Sequence, residues 1–383
     1  MLSPPDFSRR IPQLDGLRGV AIIFVLLFHF VGFAVDFGAP PILNWLVPPT
    51  SLGWSGVDLF FVLSGFLIGG ILLDARESPN YFRVFYRRRV CRIFPLYFAV
   101  LVVILIVAHF ARPPLEAMFK PAIPWPFLAT FCQNFWMAIH NRFGALAVAP
   151  TWSLAVEEQF YLTLPAVIYF VRPTRLIWVF TGGMILAPLI RLAMFLASPR
   201  LLAAIYVLLP CRMDSLLFGV AVAYLLRRPG AWEYARAHRR QLWTLTELLT
   251  AICALFLYRP SAIDPVTMLA GYDCMGLLFT CVLVLSLIDE GLMKVLQAKW
   301  LMALGGISYC VYLIHPLAFG LVFTRMKDYP NGGAISAILG LALTIVVAEI
   351  SWRWFEKPLV RFGHRESYEQ ASTSLPPHLV HHS

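Results

Sequence analysis

Charged side chains are scarce in this chain of 383 residues. They make up 14% of the sequence, whereas hydrophobic residues make up 59%. Soluble globular proteins carry about 25% charged residues, so a soluble domain with a polar surface is excluded. The mean hydropathy of +0.72 indicates an integral membrane protein.

Cysteine motifs are also missing. The seven cysteines are odd in number, no CxxC pair occurs, and most lie within apolar runs. This pattern is typical of small packing residues and not of a disulfide framework or zinc site. We therefore expect no metal site and no permanently bound cofactor. No base-reading motif accompanies the net charge of +10, so no nucleic-acid partner is expected.

A small-residue cleavage site is lacking after the first apolar run, so we expect this run to be retained as a helix and not removed as a signal peptide. A membrane span needs about 20 mostly apolar residues. Ten segments qualify, at residues 17–36, 55–74, 92–111, 152–171, 175–197, 203–226, 241–258, 267–288, 301–323 and 335–356. Segment 121–140 is too interrupted by proline for a plain span and is expected to be interfacial or re-entrant.

The basic residues favour one orientation. Most of the 31 lysines and arginines fall in loops on the side of the N-terminus, which predicts that both termini are cytoplasmic. We therefore predict an all-α polytopic membrane protein with about ten transmembrane helices in one bundle. Residues 1–365 would form this bundle in a bacterial cytoplasmic membrane. Residues 366–383, rich in Ser, Pro and His, would form a disordered cytoplasmic tail.

Arg18 and His29 lie eleven residues apart in one apolar run. At about 100° per residue both side chains share one helix face, separated by roughly 16 Å along the axis. An ionisable group in the bilayer is a functional candidate. The alternative is a core histidine hydrogen-bonded to a neighbouring helix and an arginine anchored at the headgroups.

Small residues and one carboxylate mark the second candidate segment, residues 53–70. Its glycines favour close helix packing. Asp58 lies a turn inside its span and needs a partner there. His29 is a candidate for that partner because it lies at a similar depth.

Arginines cluster at the start of the third predicted span. Arg88 and Arg92 are four residues apart and Arg89 and Arg92 three, so they share a helix face. Such clusters suit phosphate groups. The simpler interpretation is an orientation signal alone, but the arginines in 76–92 exceed what orientation requires.

A fourth group surrounds two adjacent carboxylates, Glu157 and Glu158. Glu157 shares a helix face with Ser153 and Tyr161. Arg191, Arg212 and Asp214 also fall inside apolar runs, so a structural Arg–Glu pair and a catalytic role are both open.

His315 precedes Pro316 in the fifth group. The proline frees the backbone carbonyl of Tyr312 and can kink the helix, so support of a kink is the alternative to a functional histidine. His29, Asp58, Glu157, Glu158 and His315 fall near one depth on four predicted helices, which favours a common site.

These segments resemble the membrane acyltransferase-3 family, which modifies cell-surface glycans. The resemblance rests on QLDGLRGVAIIFVLLFH (13–29), GVDLFFVLSGFLI (56–68), the Arg89/Arg92 pair followed by IFPLY (93–97), WSLAVEEQFYL (152–162) and GISYCVYLIHP (306–316). It runs in family order from about residue 10 to 363.

The resemblance implies transfer of an acyl group, commonly acetyl, from cytoplasmic acyl-CoA to a hydroxyl of a glycan or glycolipid on the outer side. It makes His29 the catalytic residue with Arg18 as its partner, and Arg89 and Arg92, with Arg88 beside them, the contacts for CoA phosphates. Asp58, Glu157 or Glu158 would orient the imidazole. Acceptor-side or pore-lining roles are expected for Ser153, Tyr161, Arg191, Arg212, Tyr312 and His315. The alternative function is a transporter that exports an acyl compound or an acylated glycan intermediate.

Overall fold

The structure is a computed structural model that describes residues 10–36, 40–258 and 261–369. No strand occurs in these ranges, which confirms the all-α prediction. Ten helices have 17 or more residues: α1 (Pro12–Asp36), α2 (Gly56–Ala75), α3 (Tyr81–Phe110), α4 (Thr151–Phe170), α5 (Pro173–Ala197), α6 (Leu209–Leu225), α7 (Arg239–Leu255), α8 (Tyr272–Ile288), α9 (Lys299–Met326) and α10 (Gly332–Ser351).

Short helical pieces connect or extend the long helices. They are Pro41–Leu46, Val47–Ser51, Leu52–Ser55, Leu115–Phe119, Trp125–Ala129, Gln133–His140, Leu202–Val207, Ala231–Ala237, Phe256–Tyr258, Thr267–Gly271, Glu290–Leu296, Trp352–Glu356 and Lys357–Gly363. Segment 121–140 contains only helices of five and eight residues. At 1.5 Å per residue, eight residues reach about 12 Å, which is too short to cross a bilayer.

Eight of the long helices are apolar and long enough to cross a membrane, so the chain is a multi-pass membrane protein. Some of the eight, such as α6 and α8, reach this length together with the short helical piece before them. The other two are α4, which carries Glu157 and Glu158, and α7, which carries Arg239, Arg240 and Glu247. The count of ten spans stays a prediction.

Polar contacts show that the long helices alternate in direction. Arg76, just after α2, donates to the Val171 carbonyl at the end of α4 (2.7 Å). Arg227, just after α6, pairs with Asp74 near the end of α2 (2.6 Å). The even-numbered helices α2, α4 and α6 therefore end at the same end of the bundle.

The remaining helices obey the same alternation. The start of α9 packs on the start of α1, where a Cβ added to Gly305 would lie 1.9 Å from the Asp15 carbonyl oxygen. Arg239, which opens α7, pairs with Asp289 just after α8 (3.5 Å). We call this end, where odd-numbered helices begin and even-numbered helices end, the arginine end.

Helices α2 and α6 approach each other closely through glycine. A Cβ on Gly65 would lie 1.8 Å from the Leu216 carbonyl oxygen, and one on Gly219 would lie 2.0 Å from that of Val62. Any larger residue would force the two backbones apart. The expectation of close packing along the glycines of α2 is confirmed at Gly65.

The segment after α10 lies against α3. The Glu366 carboxylate pairs with Arg83 (2.7 Å) and Arg87 (2.9 Å), and the Arg88 guanidinium lies 4.8 Å from the centre of the Tyr368 ring. Residues 366–369, which we assigned to a disordered tail, therefore contact the bundle. Residues 370–383 of that predicted tail lie outside the described residues.

Candidate active site

A cavity of about 550 Å³ opens beside His29, and we call it the His29 cavity. Its walls are largely aromatic, with Trp54, Trp152, Tyr206 and Tyr312 among the lining residues. Among the described residues that line it, none is an arginine, lysine or carboxylate. It is therefore suited to a neutral group that meets the imidazole.

A much smaller cavity of about 120 Å³, the Glu157 chamber, lies between α2, α3, α4 and α9. Its polar lining combines Glu157 with Arg18, Arg89 and Arg92. The chamber shares Val57 and Tyr312 with the His29 cavity. These two side chains form the partition between the two spaces.

A third cavity of about 430 Å³, the arginine vestibule, lies at the arginine end. Its basic lining consists of Arg10, Arg18, Arg88, Arg89, Arg227 and His364. Burial lowers the pKa of the His364 imidazole, and the arginines around it lower that pKa further. The positive charge at neutral pH therefore comes from the arginines. Asp15, which also lines the vestibule, offsets part of this charge through its pairs with Arg10 (2.6 Å) and Arg18 (3.4 Å). The lining nevertheless has more arginines than carboxylates, which favours anions.

The vestibule and the chamber share Arg18, Ser64, Arg89 and Tyr161. The three cavities are therefore adjacent and lie in series from the arginine end to His29, separated by shared walls. Arg18 lines the vestibule and the chamber, whereas His29 lines the cavity named after it. Both residues are on α1, and their eleven-residue spacing predicts this separation along the helix.

The His29 ring is held in one orientation by its own helix. Its Nδ1 lies 2.9 Å from the Val25 carbonyl oxygen. Because a carbonyl only accepts, Nδ1 carries the proton and the neutral ring has its lone pair on Nε2. That lone pair gives His29 the form that a general base needs.

Asp58 has a different partner from the one its depth suggested. Its Oδ1 accepts from the Arg212 guanidinium at 2.7 Å and from the Ser215 hydroxyl at 3.1 Å, and no bond to His29 is formed. Asp58 is fully buried and lines none of the three cavities. A role in orienting the imidazole by direct contact does not fit this position.

Arg191 and Arg212 form buried ion pairs, and neither lines the three cavities. Arg191 bonds Asp214 at 2.7 Å and Asp273 at 2.6 Å. Arg212 lies over the Tyr272 ring at 3.7 Å. Both arginines are therefore in structural ion pairs, but their partners are aspartates and not the α4 glutamates expected from the sequence.

The two adjacent glutamates of α4 have different surroundings. Glu157 lines the chamber beside Tyr161, whose hydroxyl is hydrogen-bonded to Ser64. Glu158 lines none of the three cavities, and its Oε1 is buried without a hydrogen-bond partner. Only Glu157 is placed to meet a ligand in the path.

Ser153 and Tyr312 both line the chamber and contact each other. Tyr312 donates its hydroxyl proton to the Pro150 carbonyl at 2.8 Å, and Ser153 Oγ lies 2.7 Å from the same hydroxyl oxygen. The expectation that Tyr312 lines a polar path is consistent with this position.

The three predicted phosphate contacts are spread along the path. Arg88 lines the vestibule, Arg92 lines the chamber, and Arg89 lines both. Arg88 also donates to the Glu366 carbonyl (3.0 Å), and Arg92 lies 5.3 Å from the centre of the Trp352 ring. The cluster therefore extends from a wide entrance into a narrow passage.

Sequence reasoning missed several lining residues. Trp54, Trp152 and Tyr206 form aromatic walls, and Asp273 completes the Arg191 network. Asp273 had a usable signal, since it is a carboxylate inside an apolar run. The aromatic residues had none, because apolar side chains are expected everywhere in such a helix.

No group of three or more His, Cys, Asp or Glu residues that could hold a metal ion occurs among the described residues.

Comparison with known proteins agrees with this arrangement. A family model described as an acyltransferase domain matches residues 11–353. The chain is 28% identical over 383 residues to the peptidoglycan O-acetyltransferase OatA of Listeria monocytogenes, a match that covers 93% of this chain and 57% of the relative.

Two other relatives match similarly. The putative peptidoglycan O-acetyltransferase YrhL of Bacillus subtilis is 27% identical (95% of this chain, 57% of the relative), and the O-acetyltransferase OatA of Staphylococcus aureus is 27% identical (93% and 58%). The chain thus spans just over half the length of these relatives. No solved structure matches the chain. The family model covers most of the sequence, including the vestibule arginines of α3 and the His29 cavity, and the chain therefore belongs to the membrane acyltransferase-3 family.

Proposed function

We propose that this protein transfers an acyl group, acetyl in the simplest case, from acyl-CoA to a hydroxyl of a glycan or glycolipid. The donor enters at the arginine vestibule and the acceptor enters the His29 cavity. The observation that carries the proposal is the series of cavities with shared walls that joins the arginines to His29. We place the arginine end in the cytoplasm of a bacterial cell, because basic loops favour that side.

The sizes and charges of the cavities support this direction of transfer. The vestibule of about 430 Å³ carries cations that suit the phosphates of CoA. The chamber of about 120 Å³ is too small for a nucleotide and leaves room only for a thin chain such as the pantetheine arm. The thioester would therefore reach the partition at Tyr312 while the nucleotide stays among the arginines.

The chemistry needs one base. His29 Nε2 takes the proton of the acceptor hydroxyl, and the oxygen attacks the thioester carbonyl carbon. The C–S bond then breaks, the acyl group stays on the acceptor oxygen, and the thiolate takes the proton from His29. An acyl-histidine intermediate is the alternative, in which Nε2 attacks the carbonyl first.

A sugar is the acceptor that best suits the cavity and the relatives. Aromatic faces such as Trp54, Trp152 and Tyr206 stack on sugar rings, and the absence of charged lining residues suits a neutral hydroxyl. The relatives are named for O-acetylation of peptidoglycan, which is itself a glycan.

The second candidate function is a transporter, which a polar path through a helical bundle would also serve. The test uses proteoliposomes loaded with glycan and supplied with labelled acetyl-CoA. We expect labelled, covalently acetylated glycan. Labelled compound that crosses the membrane unchanged would instead support the transporter.

His29→Ala should lower transfer by about 10²–10⁴-fold, because the acceptor loses its base. His109→Ala is the matched control, since His109 is exposed near the end of α3 and should retain wild-type activity. The measurement is the initial rate of acetyl transfer by protein that elutes as a single species. Full activity of the His29 variant would refute the proposed mechanism.

A further inference from the structure

His315 is a buried titratable group for which the proposed mechanism has no role. Its side chain is 0% exposed and it lines none of the three cavities. Its Nε2 has no hydrogen-bond partner. A buried polar atom without a partner destabilises the folded protein, so its presence needs a reason.

Pro316 determines which nitrogen of His315 carries the proton. A proline has no backbone N–H, so the Tyr312 carbonyl four residues earlier lacks its usual helical donor. His315 Nδ1 replaces that donor at 2.9 Å. It also lies 3.3 Å from the Val311 carbonyl oxygen. Because both partners only accept, Nδ1 carries the proton and the lone pair of the neutral ring is on Nε2.

His29 is the neighbour that can use this lone pair. The two imidazole centroids are 4.7 Å apart. The other rings in contact with His315 belong to Phe30 and Tyr312, at 6.3 Å and 6.1 Å. The Tyr312 hydroxyl is already engaged with Pro150 and Ser153. Among the described residues with ring contacts to His315, His29 is thus the titratable group left to interact with this lone pair.

We propose that His315 is the positioning residue of His29, and that its Nε2 stabilises the protonated form of His29 during acyl transfer. This inference rests on the proposed function. In the resting enzyme the Nε2 atom of each histidine carries a lone pair and no proton, so no hydrogen bond joins the two rings. When His29 takes the hydroxyl proton it gains a positive charge, and the unpartnered lone pair of His315 Nε2 belongs to the ring 4.7 Å from that charge, which it stabilises. The proton then passes to the thiolate, and both rings are neutral again.

Two variants separate this role from support of the helix kink. In His315→Asn the amide nitrogen takes about the place of Nδ1, so the bond to the Tyr312 carbonyl is kept and the Nε2 acceptor is lost. In His315→Gln the amide oxygen takes about the place of Nε2, so the acceptor is kept and the bond to Tyr312 is lost.

We expect kcat to fall at least about tenfold in His315→Asn and distinctly less in His315→Gln. KM for donor and acceptor should stay unchanged in both, because His315 contacts neither. The reverse order of activities, equal kcat in the two variants, or a change confined to KM would overturn the proposal.

Pro316→Ala tests the origin of the tautomer. It restores a backbone N–H that competes for the Tyr312 carbonyl, so the melting temperature should be equal or higher while kcat falls. Unchanged kcat in this variant would contradict the assigned role of the proline.

A readout independent of activity completes the test. In protein labelled with ¹⁵N-histidine, the signals absent from His315→Asn belong to His315. They should show a protonated Nδ1 and an unprotonated Nε2, and a protonated Nε2 would overturn the inference. The wild-type protein could show the expected tautomer and yet transfer no acyl group. In that case the proposed function would be wrong, while the assignment of the tautomer would stand.

Discussion

Individual buried charges in this protein act mainly on stability, and Asp58 is the clearest case. Its pair with Arg212 is fully buried, so removal of one partner leaves an uncompensated charge. Asp58→Asn should therefore lower the free energy of unfolding by about 3–5 kcal/mol. The measurement is thermal unfolding in detergent.

Asp74→Asn is a matched control, because Asp74 lies on the same helix and pairs with Arg227 just beyond the same partner helix, but is 46% exposed. Its loss should cost no more than about 1 kcal/mol. If Asp58→Asn were as stable as wild type but slow in transfer, a direct catalytic role would replace the structural one.

The vestibule arginines should act on the donor and not on the acceptor. We expect Arg88→Ala and Arg89→Ala each to raise KM for acyl-CoA at least about tenfold, since both line the vestibule and a charge-assisted hydrogen bond to phosphate is lost. KM for the acceptor should stay constant. Arg83→Ala is the control on the same helix, because Arg83 is 75% exposed and lines none of the three cavities. An equal effect of all three substitutions would indicate general electrostatic attraction instead of a site.

At the residue scale, contacts between residues close in the chain could be predicted from the sequence, whereas contacts between distant residues could not. Arg18 and His29 share one helix, so their common face follows from helical periodicity alone. The Asp58 partner, Arg212, is 154 residues away. Depth in the membrane narrowed the candidates for that partner, but only packing of α2 against α6 could select among them.

The crossing of α2 and α6 is the closest helix contact in which glycine is needed on both sides. Gly65→Ala and Gly219→Ala should each destabilise the protein by about 1–3 kcal/mol, because the added methyl group meets a backbone carbonyl that cannot move independently. Thermal unfolding in detergent measures the change.

Gly182→Ala in α5 is the control, since no atom lies within 4 Å of the added Cβ. It should be neutral or slightly stabilising, because alanine favours the helix by about 1 kcal/mol over glycine. Equal tolerance at all three positions would contradict the close approach of the two helices.

The positions of the helices were predictable, but some of their ends were not. Each of the ten predicted segments corresponds to one of the ten long helices. The third was predicted from residue 92, whereas α3 begins at Tyr81. The arginines of this first part resemble a loop by hydropathy, yet the helix continues through them because its end lies among charged groups at the vestibule.

On the scale of the whole molecule, alternation of helix direction places the basic loops at one end. The sequence predicted this asymmetry from the distribution of arginine and lysine. If α4 also crosses the membrane, Glu77, just after α2, and Thr174, at the start of α5, lie on one side, and Arg200, just after α5, lies on the other.

Single cysteines at Glu77, Thr174 and Arg200 in a cysteine-free variant test this arrangement. All three positions are exposed. With a membrane-impermeant maleimide on intact cells, we expect labelling at residue 200 and protection at residues 77 and 174. Labelling at residue 174 with protection at residue 200 would show that α4 does not cross the membrane.

Local pattern was enough to establish the membrane class, the helices, the small residues at their crossings and the common face of Arg18 and His29. Each of these depends on neighbours within a few turns of one helix. The partner of Asp58, the separation of Glu157 from Glu158 and the path from the vestibule to His29 were decided by the tertiary structure. They depend on which helices pack together, and that choice sums many weak contacts between residues far apart in the chain.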